Sequence, residues 1–68
     1  MEAHQERVVT EQAELLAKIR KLGEFFSGAV YPTLDAAEQA RLERQFSHMQ
    51  AYERVLHERI EAFAPTGA

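Results

Sequence analysis

Arg41, Gln45, His48 and Tyr52 recur in steps of four, three and four, a spacing that lines side chains along one ridge of an α-helix. Arg44 stands beside that ridge, three residues before Ser47 and four before His48. A guanidinium holds phosphate through two parallel hydrogen bonds, and an aromatic ring offers a face on which a base can stack. Repeated around a symmetric oligomer, such a ridge would line a pocket for a small anionic nucleotide. A solvent-facing helix surface with Tyr52 at the rim of a core accounts for the same residues without any ligand. Lys18, Arg20 and Lys21 form a second basic cluster, for which a solvated face is the simpler reading.

Other chemistries find less support. His4, His48 and His57 are the histidines, and no two stand at a metal-pairing distance in the chain. Glu53, His57 and Glu61 share a helical face, but a metal there would need further ligands from elsewhere. The Glu-x-x-His pattern of di-iron bundles is absent, since Gln45 precedes His48 and Arg54 precedes His57 by three residues. A solvated face of alternating charge explains that trio, and no metal or other cofactor is expected. Ser27 and Ser47 carry no spacing signature of an activated nucleophile, and there is no cysteine. Gly23, Gly28 and Gly67 are too scattered for a phosphate-cradling loop. The chain reads as a binding or structural protein, not an enzyme.

The elements that must position these residues are two long helices. Val8, Gln12, Leu15, Ile19, Leu22 and Phe26 alternate in steps of four and three. Leu42, Phe46, Met49, Leu56, Ile60 and Phe63 follow the same rule, with Tyr52 filling the gap between Met49 and Leu56. Helix one is expected over about residues 3–27, roughly 37 Å long at the usual rise. Strong helix formers fill it, and Glu14 precedes Lys18 by four, the favourable order for a surface pair. Gly28 offers a left-handed stop and Pro32 blocks continuation. Asp35 is placed to cap helix two, with Glu38 able to return the bond, and that helix is expected over about residues 35–64. Pro65 and Gly67 mark a frayed, disordered tail over residues 65–68.

The connection over residues 28–34 is short enough to force an antiparallel pairing. The fold class is therefore all-α: an antiparallel two-helix hairpin over residues 1–64, coiled-coil-like in its average repeat. Gln12 is the polar member of the first stripe; it either finds a hydrogen-bond partner or lies at the edge and reaches water, the simpler of the two. Tyr31 is expected to pack over the hairpin end. Val9, Ala13, Leu16 and Gly23 flank the first stripe, and Ala51 and Val55 flank the second, with Phe25 adding to it. This apolar surface exceeds what a two-helix seam covers, which points to a homo-oligomeric helical bundle.

Composition agrees with a small folded domain. The 68 residues are 46% hydrophobic and 28% charged, and they lack the disulfides that staple many chains of this size. A formal net charge of −3 gives no blanket attraction to DNA or to anionic lipid, and is too small for a DNA mimic. No apolar run approaches the roughly 20 residues of a membrane span. Met1 to Arg7 is polar and lacks the apolar core of a signal peptide. A cytoplasmic protein is the expectation, and oligomerisation the expected source of added stability.

The run Glu6-Arg7-Val8-Val9, followed by Glu14-Leu15, Lys18-Ile19 and Lys21-Leu22, resembles small phage-encoded proteins related to a crAss-like phage open reading frame. So does the second half, through Glu38-Gln39, Leu42, Gln45, Met49, Tyr52, Leu56 and Arg59-Ile60. The resemblance covers about residues 5–63. It implies a phage or prophage accessory protein working in the host cytoplasm, with no catalytic motif to carry over. In size and helical content alone the chain looks like the anti-CBASS and anti-Thoeris sponges, which sequester cyclic nucleotide signals between copies. The expected role is antagonism of bacterial defence, by sequestering such a signal at Arg41, Arg44, His48 and Tyr52. A helical module docking on a host defence or phage protein, and a structural bundle component without ligand, are the alternatives.

Overall fold

A computed structural model describes residues 2–63. Two helices, α1 (Ala3–Phe26) and α2 (Ala36–Phe63), run antiparallel and enclose a 3-10 turn at Tyr31–Thr33. The hairpin is a rod of 52 × 18 × 15 Å. The expected helix boundaries hold to within a residue at each described end; the proposed tail over residues 65–68 lies outside the described residues.

Each helix end has an identifiable partner for its free backbone groups. At the start of α1, the Glu2 amide donates to Gln5 Oε1 at 3.0 Å. At the start of α2, Asp35 Oδ1 accepts the Glu38 amide at 2.8 Å, as its capping position predicts. The reciprocal half of that box is not made. Glu38 Oε1 instead accepts from Arg41 Nε at 2.8 Å, because a guanidinium one turn along offers a charged donor.

The end of α1 differs from expectation. No glycine among the described residues has positive φ, so Gly28 does not act as a left-handed stop. Ser27 remains right-handed, and its amide reaches back to Glu24 O at 3.1 Å while the Gly28 amide reaches Phe25 O at 3.0 Å. The last turn thus tightens toward 3-10 geometry instead of reversing hand. Pro32 then falls in the first part of the 3-10 turn, where its fixed φ fits and its missing amide costs nothing. The Thr33 hydroxyl donates to Val30 O at 2.6 Å, closing the turn.

Four aromatic rings pin the tip. Phe26 meets Tyr31 and Phe46 edge-on, at centroid distances of 5.0 and 5.1 Å, and Phe25 meets Tyr31 at 6.3 Å. Edge-to-face contacts bring each ring's positive edge to the negative face of another. Gly23 packs beside the Phe46 ring, where a Cβ would stand 3.6 Å from Cε1, in ordinary contact, so the packing does not require a glycine. Tyr31 packs over the hairpin end as its sequence position suggests. Its hydroxyl donates to Glu43 Oε2, and its carbonyl accepts from Gln39 Nε2 at 2.9 Å.

The core is a single seam. Val8, Leu15 and Leu56 are buried, Leu56 to 1% exposure, and Ile19, Met49, Ile60 and Phe63 pack around them. His4 closes the open end, its ring edge-on to Phe63 at 6.5 Å. The stripe on α2 departs from expectation at one position. Glu53, not Tyr52, completes the seam between Met49 and Leu56, for Gln12 Nε2 donates to Glu53 Oε2 at 2.9 Å across the helices. Tyr52 is left 45% exposed on the flank. Gln12 is half-buried and partnered, so it does not simply reach water. The expected Glu14–Lys18 pair is not among the ion pairs of the described residues; both side chains are exposed and gain little from pairing.

Two outcomes follow. Leu56→Ala removes the most buried side chain and should cost about 2–5 kcal/mol. Domains of this size hold roughly 3–10 kcal/mol in all, so urea titration followed by circular dichroism should show most of the stability gone. The hydrogen bond to Glu43, with some desolvation and the carboxylate's charge, raises the Tyr31 phenol above its ordinary 10.0. The stability tied to it is complete below 10.0 and is lost as pH rises through the folded value. In an ultraviolet phenolate titration, Tyr31→Phe should remove a transition centred above 10.0, and Glu43→Gln should move it down.

Candidate functional site

The hairpin has two flanks, and the contacts across the seam decide which residues share each. Successive helical residues turn by about 100°. On α1, Gln12 and Leu16 stand to one side of the Val8–Leu15 line, whereas Glu11 and Lys18 stand to the other. Gln12 reaches Glu53, and its Nε2 lies 3.5 Å from His57 Nδ1, so Glu53 and His57 share Gln12's flank. A shallow groove there is lined by Leu16, Ile19, Gln50, Glu53, Arg54 and His57. Tyr52 and His48 lie on the opposite side of the α2 seam. They therefore belong with Lys18, across the hairpin from that groove.

Register follows from the same contacts. Gln12 stands level with His57, and Gly23 level with Phe46. Lys18 accordingly comes level with residues 49–51 and Lys21 with residues 46–48. Lys18 stands on the side of the seam that carries His48 and Tyr52, whereas Lys21, three residues on, turns about 60° further from α2. That side of the hairpin is mixed in charge, since Glu11 and Glu14 stand on it with Lys18. Arg20 turns with Leu16 toward the other flank.

The ridge residues differ in how free they are. Arg41 is exposed but engaged, with its Nε 2.8 Å from Glu38 Oε1. Gln45 turns inward toward Met49, Nε2 to Sδ at 3.9 Å. Arg44 and His48 are exposed, and among the described residues neither forms an ion pair. Tyr52, 45% exposed, lies one turn along from His48. The arrangement offers charged donors and an aromatic surface, a set suited to a planar anion.

The groove flank has a different character. Gln12 ties Glu53 to the seam, and His57 Nε2 sits 3.6 Å from Glu61 Oε2. Among the described residues no three histidine, aspartate or glutamate side chains converge as metal ligands would. Sequence patterning had no means to place Gln12 against Glu53, because the pairing joins residues 41 apart.

The flanking apolar residues also divide. Val9 and Leu16 lie on the groove flank, with Leu16 45% exposed, and Val55 lies on the basic flank at 52%. The single over-wide apolar face expected from the sequence is two narrower strips on opposite sides. That follows from antiparallel pairing, which puts corresponding flanks of the two helices together.

Comparison with known proteins then places the chain. The family model described as Sequestin matches residues 2–62. The chain belongs to the Sequestin family. A protein of Enterobacteria phage T4, described as an uncharacterized 7.5 kDa protein in the denB-rIIB intergenic region, is 40% identical over 63 residues. That match takes in 93% of this chain and 98% of the phage protein. No solved structure matches. The expectation of a small phage-type protein is met by this relative, and no described helix is long and apolar enough to cross a membrane.

Gln12 and Glu53 should be coupled energetically. In a double-mutant cycle of Gln12→Ala and Glu53→Ala, thermal or urea unfolding should return a coupling of about 1 kcal/mol. Additive losses would mean that the two side chains act through water alone.

Proposed function

We propose that the chain is a non-enzymatic accessory protein of phage type that antagonises bacterial defence by binding a cyclic nucleotide signal between its own copies. The observation that carries the reading is the exposed set Arg44, His48 and Tyr52, two uncommitted donors beside an uncovered aromatic ring. Family membership supports sequestration as the mode of action, and the T4 relative supports a phage setting. The likeness to crAss-like phage proteins and to the nucleotide sponges belongs to the same proposal, as does a place in the host cytoplasm. Self-association is part of it because the hairpin leaves Leu16, Val55 and Val9 uncovered, which a second copy would bury. Arg41 enters the site by exchanging its bond to Glu38 for one to the ligand.

The competing reading takes those same uncovered strips as a surface for docking on a host or phage protein. Native mass spectrometry and thermal unfolding with a panel of cyclic nucleotides separate the two. A sequestering protein should appear as one defined oligomer and gain stability with its ligand, by about 2.7 kcal/mol at a hundredfold excess over Kd. Arg44→Ala with His48→Ala should abolish the gain and leave the helicity intact. A strict monomer that no nucleotide stabilises favours docking.

A further inference from the structure

The back of α2, the face turned away from α1, carries a pattern that neither the seam nor the flanks explain. Ala51 follows the seam residue Met49 by two positions, about 200° around the helix, so it stands nearly opposite the seam. Ala40, Ala51 and Ala62 recur at intervals of eleven residues, close to three turns, so their line runs straight along the helix. Arg44 and Ser47 fill the first interval, Val55 and Glu58 the second. All of these residues are exposed, Val55 to 52%. Among the described residues neither Arg44 nor Glu58 forms an ion pair within the hairpin.

The spacing reads the same in both directions from Ala51. Ser47 and Val55 stand four residues to either side of it, Arg44 and Glu58 seven, and Ala40 and Ala62 eleven. A two-fold axis through Ala51 therefore lays Arg44 against Glu58 of a second, antiparallel copy, and Glu58 against that copy's Arg44. Ser47 faces Val55 across the axis, and Ala40 faces Ala62. We infer that the back of α2 is the surface on which a second copy of this chain docks, antiparallel about Ala51, with two Arg44–Glu58 ion pairs. The charges select this arrangement. A parallel pairing in register sets arginine on arginine and glutamate on glutamate, and an antiparallel slide of seven residues sets Arg44 or Glu58 against Ala51. Small side chains at the centre and at both ends let the helix axes approach to about 8 Å, the near end of the usual range. Such a contact is isologous, so each favourable pair is made twice. The inference rests on the self-association in the proposed function and not on its ligand.

Sedimentation equilibrium and site-directed cross-linking test it. The chain has no cysteine, so Ala51→Cys introduces one thiol, which the two-fold axis places against its own copy within reach of a disulfide. Mild oxidation should link Ala51→Cys into a covalent dimer and leave Ala13→Cys, on α1, unlinked. Arg44→Glu alone and Glu58→Arg alone should each weaken self-association at least about tenfold, because two attractions become two repulsions. Both changes in one chain should restore it, and an equimolar mixture of the two single variants should pair with each other. Circular dichroism checks that each variant keeps its helices. If wild type self-associates while Ala51→Cys stays unlinked and neither charge reversal has an effect, this face is wrong and self-association stands. A wild type that remains monomeric at every concentration overturns both.

Discussion

Leu56 closes against Val8 and Leu15 at the middle of one helix–helix seam, and the tertiary structure of the described chain depends on that contact. Two helices have only one mutual interface to bury. The aromatic cluster at the tip, the His4–Phe63 contact at the open end and the Gln12–Glu53 bond all lie along it. Among the described residues nothing packs on the flanks. A hairpin of this kind therefore spends its apolar residues on holding two rods together and leaves two long sides free to carry binding chemistry.

The two sides carry different chemistry. On one, Glu53 and His57 are drawn toward the seam by Gln12, and Leu16 borders a shallow groove. On the other, Lys18, Arg44 and His48 form no ion pair among the described residues and share the side with Tyr52 and Glu11. A polar bond inside an otherwise apolar seam costs stability relative to a packed leucine pair, yet it penalises misregistered pairings in which Glu53 would meet an apolar side chain. Register matters more than usual here. A shift of one turn along the seam would carry Gln12 away from Glu53.

Much of the architecture was legible from local pattern. The two stripes, the Asp35 cap and the place of Tyr31 over the hairpin end all follow from side chains within a turn or two of one another. Three features were not. Gly28 keeps an ordinary backbone because the last turn of α1 tightens instead of reversing, and a glycine fits either path. Glu53 lies on the seam where hydrophobicity alone nominates its neighbour Tyr52, and only a hydrogen-bonding partner on the other helix makes that tolerable. The apolar surplus is two strips and not one, because the flank of α1 that carries Leu16 meets the flank of α2 that does not carry Val55.

The periodicity of the residues determined by itself that there are two helices, and which ridge of α2 gathers Arg41, Gln45, His48 and Tyr52. Those are consequences of a repeat that each helix states on its own. Only the tertiary structure decided that Lys18 and Lys21 share a side with that ridge while Arg20 does not. The relation between two helices depends on their relative direction and register, which are settled by contacts between residues far apart in the chain. A displacement of one position at the seam turns each side chain by about 100° and would reassign the flanks.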